Sequence, residues 1–174
     1  DLKDYVNLQI IIAAYICCKI LNIPLKIFYN GIKTFKGLPY RSKIIFESKK
    51  LIIVNNSKAT NIDSTINSLK QYKNVYLIVG GKAKDKKFKK NNKYNKNLNK
   101  IYIYGESSKI IFNQINKKIK SKIHNNLKDV INEIHKDIKN SIIKSTILFA
   151  PACTSFDQYL NFEQRGLEFN KLVK

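Results

Sequence analysis

Leu51-Ile52-Ile53-Val54-Asn55-Asn56-Ser57-Lys58-Ala59-Thr60-Asn61 is the stretch that decides the fold. Four apolar residues without polar alternation suit a strand covered on both faces. The polar run behind them ends on Thr60-Asn61, and either residue can cap a helix that starts next. The same order, apolar strand then polar loop, recurs twice. Residues 75–79 lead into Gly80-Gly81-Lys82-Ala83-Lys84, and residues 146–149 lead into Ala150-Pro151-Ala152-Cys153-Thr154-Ser155. Between them, residues 61–72 read as a helix with Ile62, Ile66 and Leu69 on one face. Residues 101–104 read as a strand, and 106–116 as a helix. Residues 126–139 carry Leu127, Val130, Ile131, Ile134 and Ile138 at helical spacing. Residues 156–173 read as helical with a break near Gly166, and 44–47 with 51–54 as a strand pair around Ser48-Lys49-Lys50. Strands alternating with helices give an α/β class, a Rossmann-like domain with a mainly parallel sheet flanked by helices.

Working outward, residues 4–21 read as a helix, and Asn22-Ile23-Pro24 punctuates the chain. Pro24 can open a second helix, to about Phe35. Gly37-Leu38-Pro39 then breaks the pattern. The expected division is 1–37, two helices, and 38–174, the α/β domain.

The 174 residues carry 33 Lys+Arg against 12 Asp+Glu, a net charge of +21. Such a balance invites a nucleic-acid reading. Arg41 and Arg165 are the only arginines, however, whereas nucleic-acid sites favour the planar guanidinium fork. Ile, Asn, Lys, Tyr and Phe are abundant while Gly is 6, Pro 3 and Trp 0. That is the mark of a base-biased genome that turns surface positions to Lys and Asn. Cys17, Cys18 and Cys153 build no disulfide framework, which favours a reducing setting. The apolar run at 10–18 stops at Lys19, short of the roughly 20 residues that span a bilayer. The first residue is Asp1 and Met is 0, so the chain is expected to be processed or a piece of a longer one.

In a parallel sheet the C-terminal strand ends share one side, where ligands bind. If the three strands are neighbours, their polar loops converge. Each loop suits an anion. Thr60 or Asn61 would start one helix, leaving open backbone N–H groups, and Ser155 with Gln158 three residues on fits a capping box for another. Helix starts favour carboxylates. Gly80-Gly81 lets backbone approach closely, and Lys84 adds a full positive charge. Two helix starts and an ammonium suit a small dicarboxylate. Singly, each feature has a plainer reading: a cap, a turn, a surface lysine. His124 and His135 are expected on solvated helix faces, and Cys153 as a packed thiol. No metal-ligand spacing, no catalytic constellation and no G-x-x-x-x-G-K-[ST] phosphate loop is present.

The segment Ala150-Pro151-Ala152-Cys153-Thr154-Ser155-Phe156-Asp157-Gln158-Tyr159-Leu160-Asn161-Phe162-Glu163-Gln164-Arg165-Gly166 closely resembles the C-terminal signature of the D-glutamate-adding Mur ligases. Phe35-Lys36-Gly37-Leu38-Pro39-Tyr40-Arg41 and Asn56-Ser57-Lys58-Ala59-Thr60-Asn61 resemble two further segments of that family, in order and at fitting spacing. The resemblance implies that 1–37 is the tail of a central ATPase domain and 38–174 the C-terminal, amino-acid-binding domain. It implies an ATP- and Mg²⁺-dependent ligase that adds D-glutamate to UDP-N-acetylmuramoyl-L-alanine through an acyl phosphate, in cytoplasmic peptidoglycan precursor synthesis. The enzyme would be monomeric, without nucleic-acid or membrane partners. Its UDP-substrate and ATPase domains would be missing from this chain, leaving it inactive alone. Asn7, Arg41 and Asn56 correspond to nucleotide contacts, and Thr60, Lys84, Ser155, Phe156 and Phe162 to the D-glutamate pocket. No catalytic or metal-binding residue is carried over.

The family usually has Asp at Asn56, His-Asn at Val6-Asn7, a second Asn at Ile10 and Lys at Leu160. An amide at Asn56 still accepts a ribose hydroxyl but loses charge assistance, of order 1 kcal/mol. A basic nucleic-acid-binding domain and a non-catalytic remnant of the ligase are the alternatives.

Overall fold

The computed structural model describes residues 5–84, 96–115, 117–139 and 141–174, with side chains from residue 8 onward. The chain divides into two units, Asp1–Gly37 and Leu38–Lys174. In the first, α1 (Tyr5–Ile20) and α2 (Leu25–Thr34) form a helical pair. Tyr15 and Phe28 join them, ring centroids 5.4 Å apart. Pro24 sits at the N-cap of α2 with φ −57°, a value its ring imposes, and Asn22 turns the chain with φ 56°.

The second unit is a six-stranded sheet in the order β1-β2-β6-β3-β4-β5. Its strands are β1 (Lys43–Glu47), β2 (Leu51–Asn55), β3 (Val75–Gly80), β4 (Leu98–Tyr104), β5 (Ser121–Ile123) and β6 (Ser145–Ala152). Only β1 runs antiparallel, as a hairpin with β2 at the edge. The other pairings are parallel. Helices α3 (Ile62–Leu69), α4 (Ser108–Gln114), α5 (Leu127–Ile138) and α6 (Phe162–Leu172) cover both faces.

The uninterrupted apolar runs of β3 and β6 follow from that double cover. On one face Ile78, Ile147 and Phe149 pack with Val130, Ile134 and Phe169 of α5 and α6. On the other, Val79, Leu148 and Ala150 pack with Leu69 and Ile111 of α3 and α4. The chain moves outward from β3 to β5, then returns to insert β6 between β2 and β3. The order reverses there, so the crevice beyond the carboxyl ends of β2, β6 and β3 is the natural ligand position.

Two expectations need correction. Ser155 caps no helix: its carbonyl accepts the N–H groups of Gln158 and Tyr159 in a turn. α6 starts seven residues later, where Asn161 Oδ1 accepts the Gln164 N–H at 2.8 Å and Gln164 Oε1 accepts the Leu160 N–H at 2.8 Å. Asn161 is extended at φ −157° with Glu163 in the first turn, a complete start signal that outcompetes Ser155. Nor does α6 break at Gly166. The glycine is buried in an unbroken helix because a Cβ there would collide with the Tyr40 ring.

Candidate functional site

Three loops leave the carboxyl ends of neighbouring parallel strands, and hydrogen bonds tie them together. The loop after β2 begins at Asn55, whose amide donates to Gly166 O (2.8 Å) and Asn170 Oδ1 (2.7 Å) while its Oδ1 accepts Ser57 N–H at 3.0 Å. Asn56 N–H donates to Phe149 O of β6 at 2.8 Å. The Asn56 side chain, also buried, donates to Ser68 Oγ at 2.6 Å. Asn61 caps α3 by accepting Ser64 N–H at 2.8 Å, and Thr65 Oγ1 donates to Ala150 O at 3.1 Å. α3 therefore begins against the end of β6. Asp63 occupies its first turn, so this helix start carries a carboxylate of its own.

The loops after β3 and β6 pair directly. Lys82 N–H donates to Thr154 O at 3.0 Å, and Thr154 N–H returns to Lys82 O at 2.9 Å. Thr154 Oγ1 adds a bond to Lys82 O at 2.8 Å. Gly81 makes this possible: its φ is +122°, and a Cβ would collide with the Thr154 carbonyl oxygen. Ala152, at φ 61°, is a left-handed non-glycine residue at the same rim.

Thr60 is half-buried, Lys84 exposed and Ser155 buried, each on one of the three joined loops. Phe156 is 69% exposed beside Ser155. Phe162 opens α6, its carbonyl accepting the Ser57 hydroxyl at 2.8 Å and its ring lying 4.2 Å under Lys58 Nζ. Arg41 is exposed, near the loop after β2, because Lys58 N–H donates to the neighbouring Tyr40 O at 3.1 Å. The Asn7 side chain lies outside the described residues.

Arg165 was missed by sequence reasoning as a site residue. It is fully buried, yet no carboxylate among the described residues is close enough to pair with it. Its Nε donates to Ser57 Oγ at 3.1 Å, and Nη2 donates to Ser57 O at 2.7 Å and Cys153 O at 3.0 Å. Burial lowers its affinity for the proton, a cost that the ionised form bears in place. Cys153 is packed as expected, and burial pushes its thiol up to about 12, against the pull of Arg165, so it is no thiolate nucleophile.

No family model matches the chain. Curated relatives do. The UDP-N-acetylmuramoylalanine–D-glutamate ligase of Wolbachia sp. subsp. Brugia malayi is 34% identical over 168 residues, 97% of this chain and 34% of the relative. The enzyme of the same name from Prochlorococcus marinus (strain MIT 9515) is 36% identical over 178 residues, 99% of this chain and 37% of the relative. The chain is a homologue of the C-terminal portion of the D-glutamate-adding Mur ligases. It spans about a third of the length of the curated relatives it matches. Solved structures of Mur ligases share the fold. UDP-N-acetylmuramate–alanine ligase of Thermotoga maritima superposes with TM-score 0.65 at 15% identity, covering 98% of this chain and 39% of its own. MurF of Acinetobacter baumannii gives 0.66 at 13%, covering 96% of this chain and 38% of its own.

Away from the three loops, His124 corrects a third expectation. It is buried at the end of β5, not on a solvated helix face, because its N–H continues the ladder to Ile103 O at 2.7 Å. His135 is exposed on α5 as expected. Among the described residues no cluster of His, Cys, Asp or Glu could hold a metal ion, and no helix is long and apolar enough to cross a membrane.

Proposed function

We propose that this chain is the amino-acid-binding part of an ATP-dependent ligase that joins D-glutamate to UDP-N-acetylmuramoyl-L-alanine in the cytoplasm. The observation that carries the reading is the union of three loops at the switch point of the sheet, on the segments that resemble the family. Lys84 pairs the α-carboxylate of D-glutamate. Ser155, Thr60 and nearby backbone N–H groups hold the side-chain carboxylate, and Phe156 and Phe162 flank the aliphatic part. The resemblance gives Arg41, Asn56 and Asn7 the nucleotide contacts. Residues 1–37 belong to the central domain of the ligase and 38–174 to its C-terminal domain.

ATP with Mg²⁺ supplies activation of the accepting carboxyl. The residues present do not fit the phosphates or the metal: the sequence has no phosphate loop, and the described residues include no metal cluster. This chain's share of the reaction is to bind and orient the amino acid so that its nitrogen meets the activated carbon. Positioning of that kind is a large source of rate enhancement.

Titration of the ¹⁵N-labelled chain with D-glutamate tests the reading. Saturable shifts at Thr60, Gly81 and Ser155, weaker for L-glutamate, are expected, and flat titration curves would remove it. The 174-residue chain alone is expected to show no D-glutamate-dependent turnover of ATP. The charge of +21 favours a second reading, nucleic-acid binding. A steep fall of log K with log salt on an oligonucleotide would support it.

A further inference from the structure

The rim depends on one side chain that neither the anion-binding reading nor the family signature assigned to it. Arg165 rises from α6 beneath all three loops. Through Nε and Nη2 it holds both the hydroxyl and the carbonyl of Ser57, on the loop after β2. Nη2 also holds the Cys153 carbonyl, on the loop after β6. Its Nη1 lies 3.1 Å from where a Cβ on Gly81 would stand, on the loop after β3. Phe149 supports the guanidinium from within the sheet, with its ring centroid 6.0 Å away. Nη1 is buried and finds no hydrogen-bond partner among the described residues.

We infer that Arg165 is a positioning residue: a buried clamp that fixes the spacing of the three loops and so sets the geometry of the amino-acid site without touching the ligand. The inference rests on the reading that the rim binds D-glutamate. Three features support it. The donors radiate from one rigid plane, which a flexible ammonium cannot reproduce. The accepted groups are mostly backbone carbonyls, so the side chain controls main-chain position. Its charge is buried with no carboxylate close enough to pair among the described residues, where an ordinary structural arginine would have one. That charge leaves a positive potential under the rim, which suits an incoming dianion. The nearby titratable groups are Tyr104, Cys153, Asp157 and Tyr159. Asp157 is engaged elsewhere, its Oδ2 accepting Glu106 N–H at 3.0 Å.

The test compares the 174-residue chain with Arg165→Lys and Ser57→Ala, reading amide hydrogen exchange without ligand and then D-glutamate affinity. Arg165→Lys is expected to speed exchange at 57–58, 81–83 and 153–155 at least tenfold relative to β3 and β4, and to weaken D-glutamate at least tenfold. Ser57→Ala, which removes the hydroxyl but spares the carbonyl, should show the same pattern at smaller size. Uniformly faster exchange across the sheet would mean general destabilisation and would overturn the clamp, as would unchanged loops with unchanged affinity. Should Arg165→Lys fail to fold, Ser57→Ala decides: selective loosening of the three loops supports the clamp, and unchanged loops overturn it. Should the parent chain bind no D-glutamate, the functional reading falls and the exchange pattern alone judges the clamp.

Discussion

Two regions of the α/β unit handle charge removed wholly or partly from water in opposite ways. At the rim of β2, β6 and β3, the Arg165 cation is held through Nε and Nη2 by a hydroxyl and two carbonyls, with no carboxylate close enough to pair among the described residues. At the far edge, where α5 covers β4 and β5, charges are paired. Lys100 Nζ lies 2.6 Å from Glu133 and 2.7 Å from Asp137, Lys122 Nζ 2.6 Å from Glu133, and the Tyr102 hydroxyl donates to Asp137 at 2.5 Å. Burial would raise the Glu133 carboxyl, but the two lysines more than offset it and hold it down to about 2. The far edge consumes its own charge and is structural. The rim instead holds its cation with neutral groups, Asp157 being the nearby carboxylate that acts on it through space.

The largest break in this contrast is Gly81→Ala. The left-handed backbone and the collision with the Thr154 carbonyl oxygen force the two paired loops apart. A loss of about 3 kcal/mol or more is expected in denaturant unfolding. A loss below about 1 kcal/mol would show that the loop pairing tolerates a shift.

At the far edge, Lys100→Ala removes two ion pairs of a partly buried network and should destabilise by about 1–2 kcal/mol, with D-glutamate affinity unchanged. A matching loss of affinity would merge the two regions into one functional unit.

Acid sharpens the contrast further. Burial lowers the His124 pKa from the ordinary 6.5, opposed by Glu133 and aided by Lys122 and Lys100, with Asp129 a smaller opposing charge. The Tyr102 ring of β4 lies nearby in a tilted arrangement, ring centroids 5.9 Å apart. The unfolded chain therefore takes up the proton first, and stability declines as pH falls below 6.5. Glu133 adds a second decline, because its depressed carboxyl contributes stability above 4.5 that is lost as pH falls toward about 2. His124→Phe should flatten the upper stage and leave the lower one. Unfolding midpoints measured from pH 7 to 3 check this, and an unaltered upper stage would assign it to another group.

The fold was legible wherever local pattern and burial agree. The apolar runs of β3 and β6 can only be strands covered on both faces, and Asn61 and Asn126 announce α3 and α5. What escaped depended on partners distant in sequence. β5 is three residues long with little apolar signal, so its pairing to β4 decides it, and His124 was misplaced with it. Ser155 matched a capping pattern that Asn161 matched better. Arg165 was visible within the signature, but its role comes from Ser57, 108 positions earlier, and no spacing rule reports that. That it is one of two arginines in a lysine-rich chain is the one signal that could have singled it out.

The smallest structural effect tests the largest functional claim. Lys84 is exposed on the loop after β3, so replacing it with alanine should change stability by no more than about 0.5 kcal/mol. If it pairs a carboxylate of D-glutamate, the same substitution should weaken binding about tenfold, the order expected for loss of a charge-assisted hydrogen bond. Lys82 is the internal control: one residue from Gly81 and also exposed, it already has Glu106 at 3.8 Å. Lys82→Ala should leave affinity within about twofold, a change too small to report a lost ion pair. Equal losses from both would mean that diffuse lysine charge attracts the dianion. A loss from Lys84 alone, undiminished in 0.3 M salt where the Debye length is about 6 Å, would mean a direct contact.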